Sequence, residues 1–209
     1  LLDTGNMDEA IRQLNFVVQR DRNHAMANYL LAEAFRMKEQ YEQSIECART
    51  AIRVSPRNAE AHFWLAESLR MSGSWEESRR EYLEYLRLSN FDSGLARKLN
   101  YYALGFLAGK FGKKTRASQH DIWQDLRSLT YFGLCDAERN LKRYEAAIGY
   151  CQRSVSLYPN DAYVHYVLGL SYAHQYQETG KLEALPAAQK HFRTMLALNA
   201  DLSEAEYAR

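Results

Sequence analysis

Ala25-Met26-Ala27-Asn28-Tyr29-Leu30-Leu31-Ala32-Glu33-Ala34-Phe35-Arg36 leads through a polar break, Lys38-Glu39-Gln40, into Tyr41-Glu42-Gln43-Ser44-Ile45-Glu46-Cys47-Ala48-Arg49-Thr50-Ala51-Ile52-Arg53-Val54, and Pro56 closes the stretch. On both sides of the break apolar side chains fall at three- and four-residue steps. That is the spacing of one helix face, so the stretch reads as two amphipathic helices joined by a short turn. Small residues at Ala32, Ser44 and Ala51 let the two backbones approach closely. The pattern returns at a fixed step: Leu31-Ala32 as Leu65-Ala66, Ala10 as Ser44 and then Ser78, Met7 as Tyr41 and then Trp75. Pro56 closes this unit as Pro159 closes a later one. A fixed period of that length marks a helical array, because each unit buries its apolar face only by stacking on its neighbours. Joints such as Arg57-Asn58 and Asn160-Asp161 stop one pair and cap the next helix. Alternating β-branched stretches are absent, which leaves an all-α reading.

The residues of the period resemble the tetratricopeptide repeat, a helix-turn-helix unit with a large residue, Leu-Gly or Leu-Ala, an aromatic, a turn, then Ala, Phe, Ala and Pro. One unit gives Asn28, Leu31-Ala32, Phe35, Tyr41, Ser44, Ala48, Ala51 and Pro56; the next gives His62, Leu65-Ala66, Leu69, Gly73, Trp75, Ser78, Tyr82 and Tyr85. A later unit gives Tyr131, Leu134-Cys135, Tyr144, Ala147, Cys151, Ser154 and Pro159. The last full unit gives His165, Leu168-Gly169, Tyr172, Ala188, Phe192 and Met195. Its small slot, Ala188, lies one period plus seven beyond Ala147, so the unit is expanded around Gln177 to Pro186. The resemblance covers nearly the whole chain. It implies an all-α fold, a right-handed α-solenoid of antiparallel helix pairs, with about five repeat units after a leading half unit.

The period is interrupted in the middle. From Ser78 to Ala147 the small slot advances by two periods plus one, so a degenerate unit occupies the gap. Tyr101, Leu104-Gly105, Ala108 and Gly112 fit its first helix and Ala117 its small slot, in a register shifted by about five residues. No Pro or Gly falls between Ala117 and Tyr131, so its second helix is expected to run on into the next unit as one rod, with the superhelix kinked or interrupted there. The organisation is therefore residues 1–92 as a half unit plus two repeats, 93–127 as a degenerate repeat with a basic turn, and 128–209 as two repeats, the second expanded, plus the start of a further helix. Leu1 to Asn6 reads as the end of a first helix and its turn, and Met7 to Val18 as the second helix alone; the array looks cut at both ends.

Composition narrows the function. The 209 residues are 46% hydrophobic and 25% charged, with 27 basic and 26 acidic side chains and a net charge of +1. No apolar run approaches the length of a membrane span, and no bulk field draws the chain toward nucleic acid or a lipid surface. Gly105-Phe106-Leu107-Ala108-Gly109-Lys110-Phe111-Gly112-Lys113-Lys114-Thr115 has the residue types of a phosphate loop. Its first glycine spacing is three, Phe111 follows Lys110 and no strand precedes it, so Lys110, Lys113, Lys114 and Arg116 read as a solvated turn, or as a patch for an anionic partner. The six histidines show no metal-ligand spacing, and His62 and His165 fall where the family places a core Trp. No nucleophile, base or acid set is recognisable, so the chain reads as no enzyme, with no cofactor and no metal. Of the three cysteines, Cys135 and Cys151 fall in family slots that meet between paired helices; they read as small buried packers, or as a disulfide or redox pair.

The resemblance also implies that the first helix of each pair lines a concave groove. Mapped onto this chain, the groove slots give an aromatic, an acid and an Arg at four- and three-residue steps: Tyr29, Glu33, Arg36; Phe63, Glu67, Arg70; Phe132, Asp136, Arg139. In the last unit the set becomes Tyr163, Tyr166, Leu170 and His174. Two readings of this ladder stand side by side. In one, each acid pairs with the Arg one turn on, a contribution of about 0.3 kcal/mol per exposed pair. In the other, the Arg and aromatic residues form a track for an extended or helical peptide, since both dominate binding hot spots. Family members that grip chaperone C-terminal carboxylates have Lys and Asn at a four-residue step on the first groove helix; here Tyr29 and Glu33 stand at that spacing, and an acid repels a carboxylate.

The reading is a protein-protein interaction scaffold that binds a partner peptide or helix in the concave groove. The alternative is an accessory, substrate-presenting region of a larger enzyme such as a glycosyl or sulfuryl transferase. Nucleic acid is not an expected partner, because acids interleave the inner basic residues. The exposed array ends offer a route to oligomers, and the sequence carries nothing that decides location.

Overall fold

A computed structural model describes residues 4–91 and 119–198, and among these it consists of helices and turns, without strand. The helices are α1 (Thr4–Arg20), α2 (Ala25–Met37), α3 (Tyr41–Val54), α4 (Ala59–Met71), α5 (Trp75–Phe91), α6 (Gln119–Asn140), α7 (Tyr144–Leu157), α8 (Ala162–Thr179) and α9 (Ala184–Leu198). They pack as the pairs α2/α3, α4/α5, α6/α7 and α8/α9, each pair against the next, in an all-α helical repeat superhelix. The helical start at Thr4 corrects the expectation of a turn before Met7: Thr4, Gly5 and Asn6 already belong to α1. The degenerate repeat, its basic turn and the phosphate-loop-like stretch lie outside the described residues, apart from the start of α6.

Local chemistry sets the helix ends. His24 and Asn58 accept the backbone N–H of Ala27 and Ala61 at 3.2 and 3.1 Å, and Asp161 accepts those of Tyr163 and Val164 at 2.9 and 3.2 Å. Each satisfies amides that a first helical turn leaves without partners. The turn between paired helices needs one residue in the left-handed region, and Glu39 (φ 59°), Gly73 (φ 81°) and Lys142 (φ 61°) hold that place in successive pairs. The expansion of the last unit goes mostly into α8, which has 18 residues where α2 and α4 have 13, before Gly180 (φ 69°) ends it. Pro186 sits in the first turn of α9, where its missing N–H costs no helical hydrogen bond.

The small slots bring backbones together. Ser44 is fully buried and donates to the Ala32 carbonyl at 2.7 Å; its hydroxyl also meets that of Ser68 at 2.7 Å, which joins α2, α3 and α4. Ser78 repeats the arrangement on Ala66 at 2.8 Å. The core runs past the interruption: Phe63, Ala66, Tyr82, Tyr85 and Leu88 from α4 and α5 cluster with Leu134 from α6. From Gln119 onward the expected rod is present as α6, whose 22 residues span about 33 Å.

The direction of curvature follows from which helices pack. The first helices of successive pairs pack on one another, α2 with α4, α4 with α6 and α6 with α8, whereas among the described residues no two second helices come together backbone to backbone. Long side chains bridge the outer gap instead, as where Arg49 of α3 meets Glu77 of α5 at 2.7 Å. The array therefore closes toward the first helices, which form its inner side. Among the described residues no helix is long and apolar enough to cross a membrane.

Candidate partner-binding groove

The three aromatic members of the ladder turn into the stack. Tyr29, Phe63 and Phe132 are all buried. Phe63 packs edge-on to Trp64 and Tyr82 with centroids at 4.9 and 6.2 Å, and Phe132 lies 5.4 Å from Tyr163. Burial, with Glu60 and Glu33 nearby, holds the Tyr29 hydroxyl far above its ordinary pKa, and that hydroxyl has no hydrogen-bond partner.

The charged members form a network beneath the surface. Arg70 donates to Glu67 on its own helix and to Asp136 on α6, both at 3.2 Å, and Arg139 donates to Asp136 at 2.9 Å. The Arg70 side chain is only 15% exposed. Burial works against its charge, but Glu67 and Asp136 outweigh that and hold the guanidinium protonated. Tyr82 donates to the second oxygen of Glu67. Arg36 stands outside this network and lies over the Trp64 ring at 5.1 Å, as Arg70 lies over Phe132 at 5.5 Å. Burial raises the Glu33 carboxyl above its usual range, with Arg36 pulling the other way. Arg36 and Arg70 thus each reach the next pair, so the ladder stitches repeats together; without Arg70, Glu67 would keep Tyr82 and Asp136 would keep Arg139 and Asn140, but no charge would join the two carboxylates.

Apolar side chains on the same helices remain open to solvent. Met26 and Met37 on α2, Met71 on α4 (47% exposed), Leu129 on α6 (45%) and Tyr163 on α8 (54%) stand on the ladder face by helical spacing. Met37 and Met71 are one period apart, as are Leu129 and Tyr163. Only Tyr163 among these was legible as a groove residue; the repeat step between Met37 and Met71 was the signal that could have found the methionines. Tyr163 stacks on Tyr166 at 6.1 Å, and Tyr166 meets Phe192 of α9 at 6.3 Å. His174 lies 5.4 Å from Tyr144, its Nδ1 without a partner, and burial and then Arg139 lower its pKa.

Cys135 and Cys151 form a disulfide between α6 and α7, with Cα atoms 5.2 Å apart, so of the two readings the bridge is the one present. Cys47 is free; burial and then Glu46 push its thiol up to about 11. Among the described residues no group of three His, Cys, Asp or Glu is placed to hold a metal ion.

Paired antiparallel helices, stacked pair on pair with the first helices on the inner side, define a helical-repeat scaffold. Models of the tetratricopeptide repeat match residues 1–45, 38–93 and 130–161, together more than half of the chain. The chain belongs to the tetratricopeptide repeat family, and it is a scaffold for protein-protein interaction. Solved structures of MamA share the fold. MamA 41-end from Desulfovibrio magneticus RS-1 is 14% identical with a TM-score of 0.66, covering 94% of this chain and 88% of its own. Another MamA structure is 16% identical with a TM-score of 0.65, covering 98% and 87%. No curated protein matches the chain.

Proposed function

We propose that the inner face binds a peptide or amphipathic helix of a partner protein, anchored on Met26, Met37, Met71, Leu129 and Tyr163, and that the chain acts by holding that partner without catalysing a reaction. The observation that carries this is the row of solvent-open apolar side chains on α2, α4, α6 and α8, two of its steps at the repeat spacing. Unbranched methionine side chains adapt to varied apolar partners, and Tyr163 with Tyr166 offers a rigid aromatic end. The ladder of Tyr29, Glu33, Arg36, Phe63, Glu67, Arg70, Phe132, Asp136 and Arg139, its aromatics and Glu67 and Asp136 buried and the rest half-buried, underlies the spacing of these anchors. Arg36, outside the Glu67–Asp136 network, is the ladder charge left to steer an acidic flank. Interleaved acids weigh against a nucleic-acid backbone.

The test selects binders from a displayed library of helical peptides and measures them by calorimetry. Met71→Ala and Tyr163→Ala should each weaken binding about tenfold, equivalent to ~1.4 kcal/mol. That loss should persist at high salt, because apolar contact is not screened. Glu46→Ala and Arg53→Ala on α3 should leave affinity unchanged. The reverse pattern would place the binding surface on the convex side.

A further inference from the structure

His62 and His165 are each the fourth residue of an inner helix, and each sets Nε2 against the carbonyl of the proline that closes the preceding unit. The distances are 3.2 Å to Pro56 O and 3.0 Å to Pro159 O. Their Nδ1 atoms face the residue three places beyond the small slot of the paired helix. In α5 that residue is Glu81, at 2.6 Å; in α9 it is His191, whose Nδ1 lies at 3.0 Å. One pocket, repeated, therefore holds a histidine against a carboxylate in one pair and against a second imidazole in another.

A carbonyl only accepts, so Nε2 carries a proton in both pockets. In the first, Nδ1 faces an acceptor as well, and the imidazolium satisfies both. Burial opposes that charge, but the bonds to Glu81 and Pro56 outweigh it and raise the His62 pKa. In the second pocket the two Nδ1 atoms must share one proton. The bond stands when the pair is neutral, with His191 donating to His165, and when it holds one extra proton, since either ring can then donate to the other. With both rings charged, two N–H groups confront each other and the bond is lost.

The surroundings do not rescue a doubly charged pair. From α8, His191 meets His165, stacked at 5.2 Å, and the Tyr172 ring, parallel to it at 5.9 Å; from its own helix it meets Lys190. From α7, Gln152 donates to the Tyr172 hydroxyl at 2.8 Å. None of these is a carboxylate. Burial, then His165 and Lys190, push His191 down to about 4. Among the described residues α9 packs on α8 alone, and that contact is the one that sets its protection.

We propose that the His165–His191 pair is a proton-operated latch that fastens α9 to α8 at neutral pH and loosens it in acid, while the matching His62–Glu81 pair tightens α5 on α4. The sign is set by linkage. His191 is depressed below the ordinary histidine value of about 6.5, so its contribution is complete above that pH and is lost as pH falls toward 4. His62 is raised, so its contribution is complete below about 6.5 and is lost as pH rises through its folded value.

Amide hydrogen exchange on the intact chain tests this, with intrinsic rates corrected for pH and α3 as the internal reference. Between pH 7.5 and 4.5 the protection of α9 should fall about tenfold relative to α3, a change well inside what the displaced titration of one half-buried histidine allows. His191→Gln should remove the acid response, and His191→Glu, which sets a carboxylate against His165, should reverse it. The latch is overturned if α9 and α3 lose protection in parallel in the parent chain, or if His191→Gln responds to acid as the parent does. Should His191→Gln loosen α9 already at neutral pH, His191→Glu decides: protection that rises in acid supports the latch, and protection that does not rise overturns it.

Discussion

The phenol ring of Tyr82 occupies the space that a side chain on Gly133 would need: a Cβ built there would stand 2.5 Å from ring carbon Cε2. Tyr82 comes from α5 and Gly133 from α6, and the ring is fully buried with its hydroxyl bound to Glu67. Gly133→Ala should therefore destabilise by about 1–3 kcal/mol, as overpacking does, and lower the urea midpoint. Gly149→Ala, in the middle of α7 with nothing near its Cβ, should instead stabilise by roughly 0.5–1 kcal/mol. Equal midpoints for Gly133→Ala and the parent would show that the α5–α6 contact gives way freely.

Arg70 and Arg36 share a repeat position but not a role. Arg70→Ala leaves Glu67 and Asp136 short of a partner in a largely buried site and should cost about 2–4 kcal/mol. Arg36→Ala loses mainly its contact with the Trp64 face and should cost about 0.5–1 kcal/mol. Denaturant melts of both variants check the order; a cost for Arg36→Ala equal to that for Arg70→Ala would contradict it.

The Cys135–Cys151 bridge closes a short loop, with a sequence separation of 16. Loop-closure entropy puts its contribution at about 3 kcal/mol. Thermal melts with and without reductant should separate for the parent and coincide for the Cys135→Ala/Cys151→Ala double variant. Native, unreduced protein should take up alkylating reagent at Cys47 alone, and slowly at neutral pH, because burial pushes its thiol up to about 11.

At the left-handed turn position, Gly73 meets no side-chain penalty, whereas Glu39 and Lys142 do. Lys142→Gly should stabilise by about 0.5–1 kcal/mol and Gly73→Ala should destabilise by about 1 kcal/mol. Differential scanning calorimetry on the two variants reads opposite shifts in Tm, and shifts of the same sign would refute the assignment.

The fold was legible because packing repeats and so do the residues that do it: Leu65, Ala66, Ser78 and Tyr82 sit in the buried seam that their spacing implies. Spacing gives the face of a helix but not its depth. Tyr29, Phe63 and Phe132 share a face with exposed methionines and are nonetheless buried, because neighbouring pairs nest at a depth the period does not encode. Arg70 of α4 meets Asp136 of α6 across the whole interrupted segment, a pairing outside any local rule. Spacing does not decide between a bridge and two thiols at Cys135 and Cys151, because a buried thiol packs as a small apolar group whether or not it is bonded.

Packing along the inner side, with the second helices set apart and joined by long side chains such as Arg49 and Glu77, makes the array behave as a leaf spring. Widening or narrowing the curve moves the second helices relative to one another with no packing between them, while each keeps its seat on the first helix of the next pair, as where Ser44 meets Ser68, and the first helices keep theirs, as where Arg70 meets Asp136. A pull along the array is therefore shared between the apolar seams that join pair to pair, such as Tyr82 and Tyr85 with Leu134, and these polar joints. Stiffness of the whole becomes a property that a substitution at one joint can tune, without altering any unit's own fold.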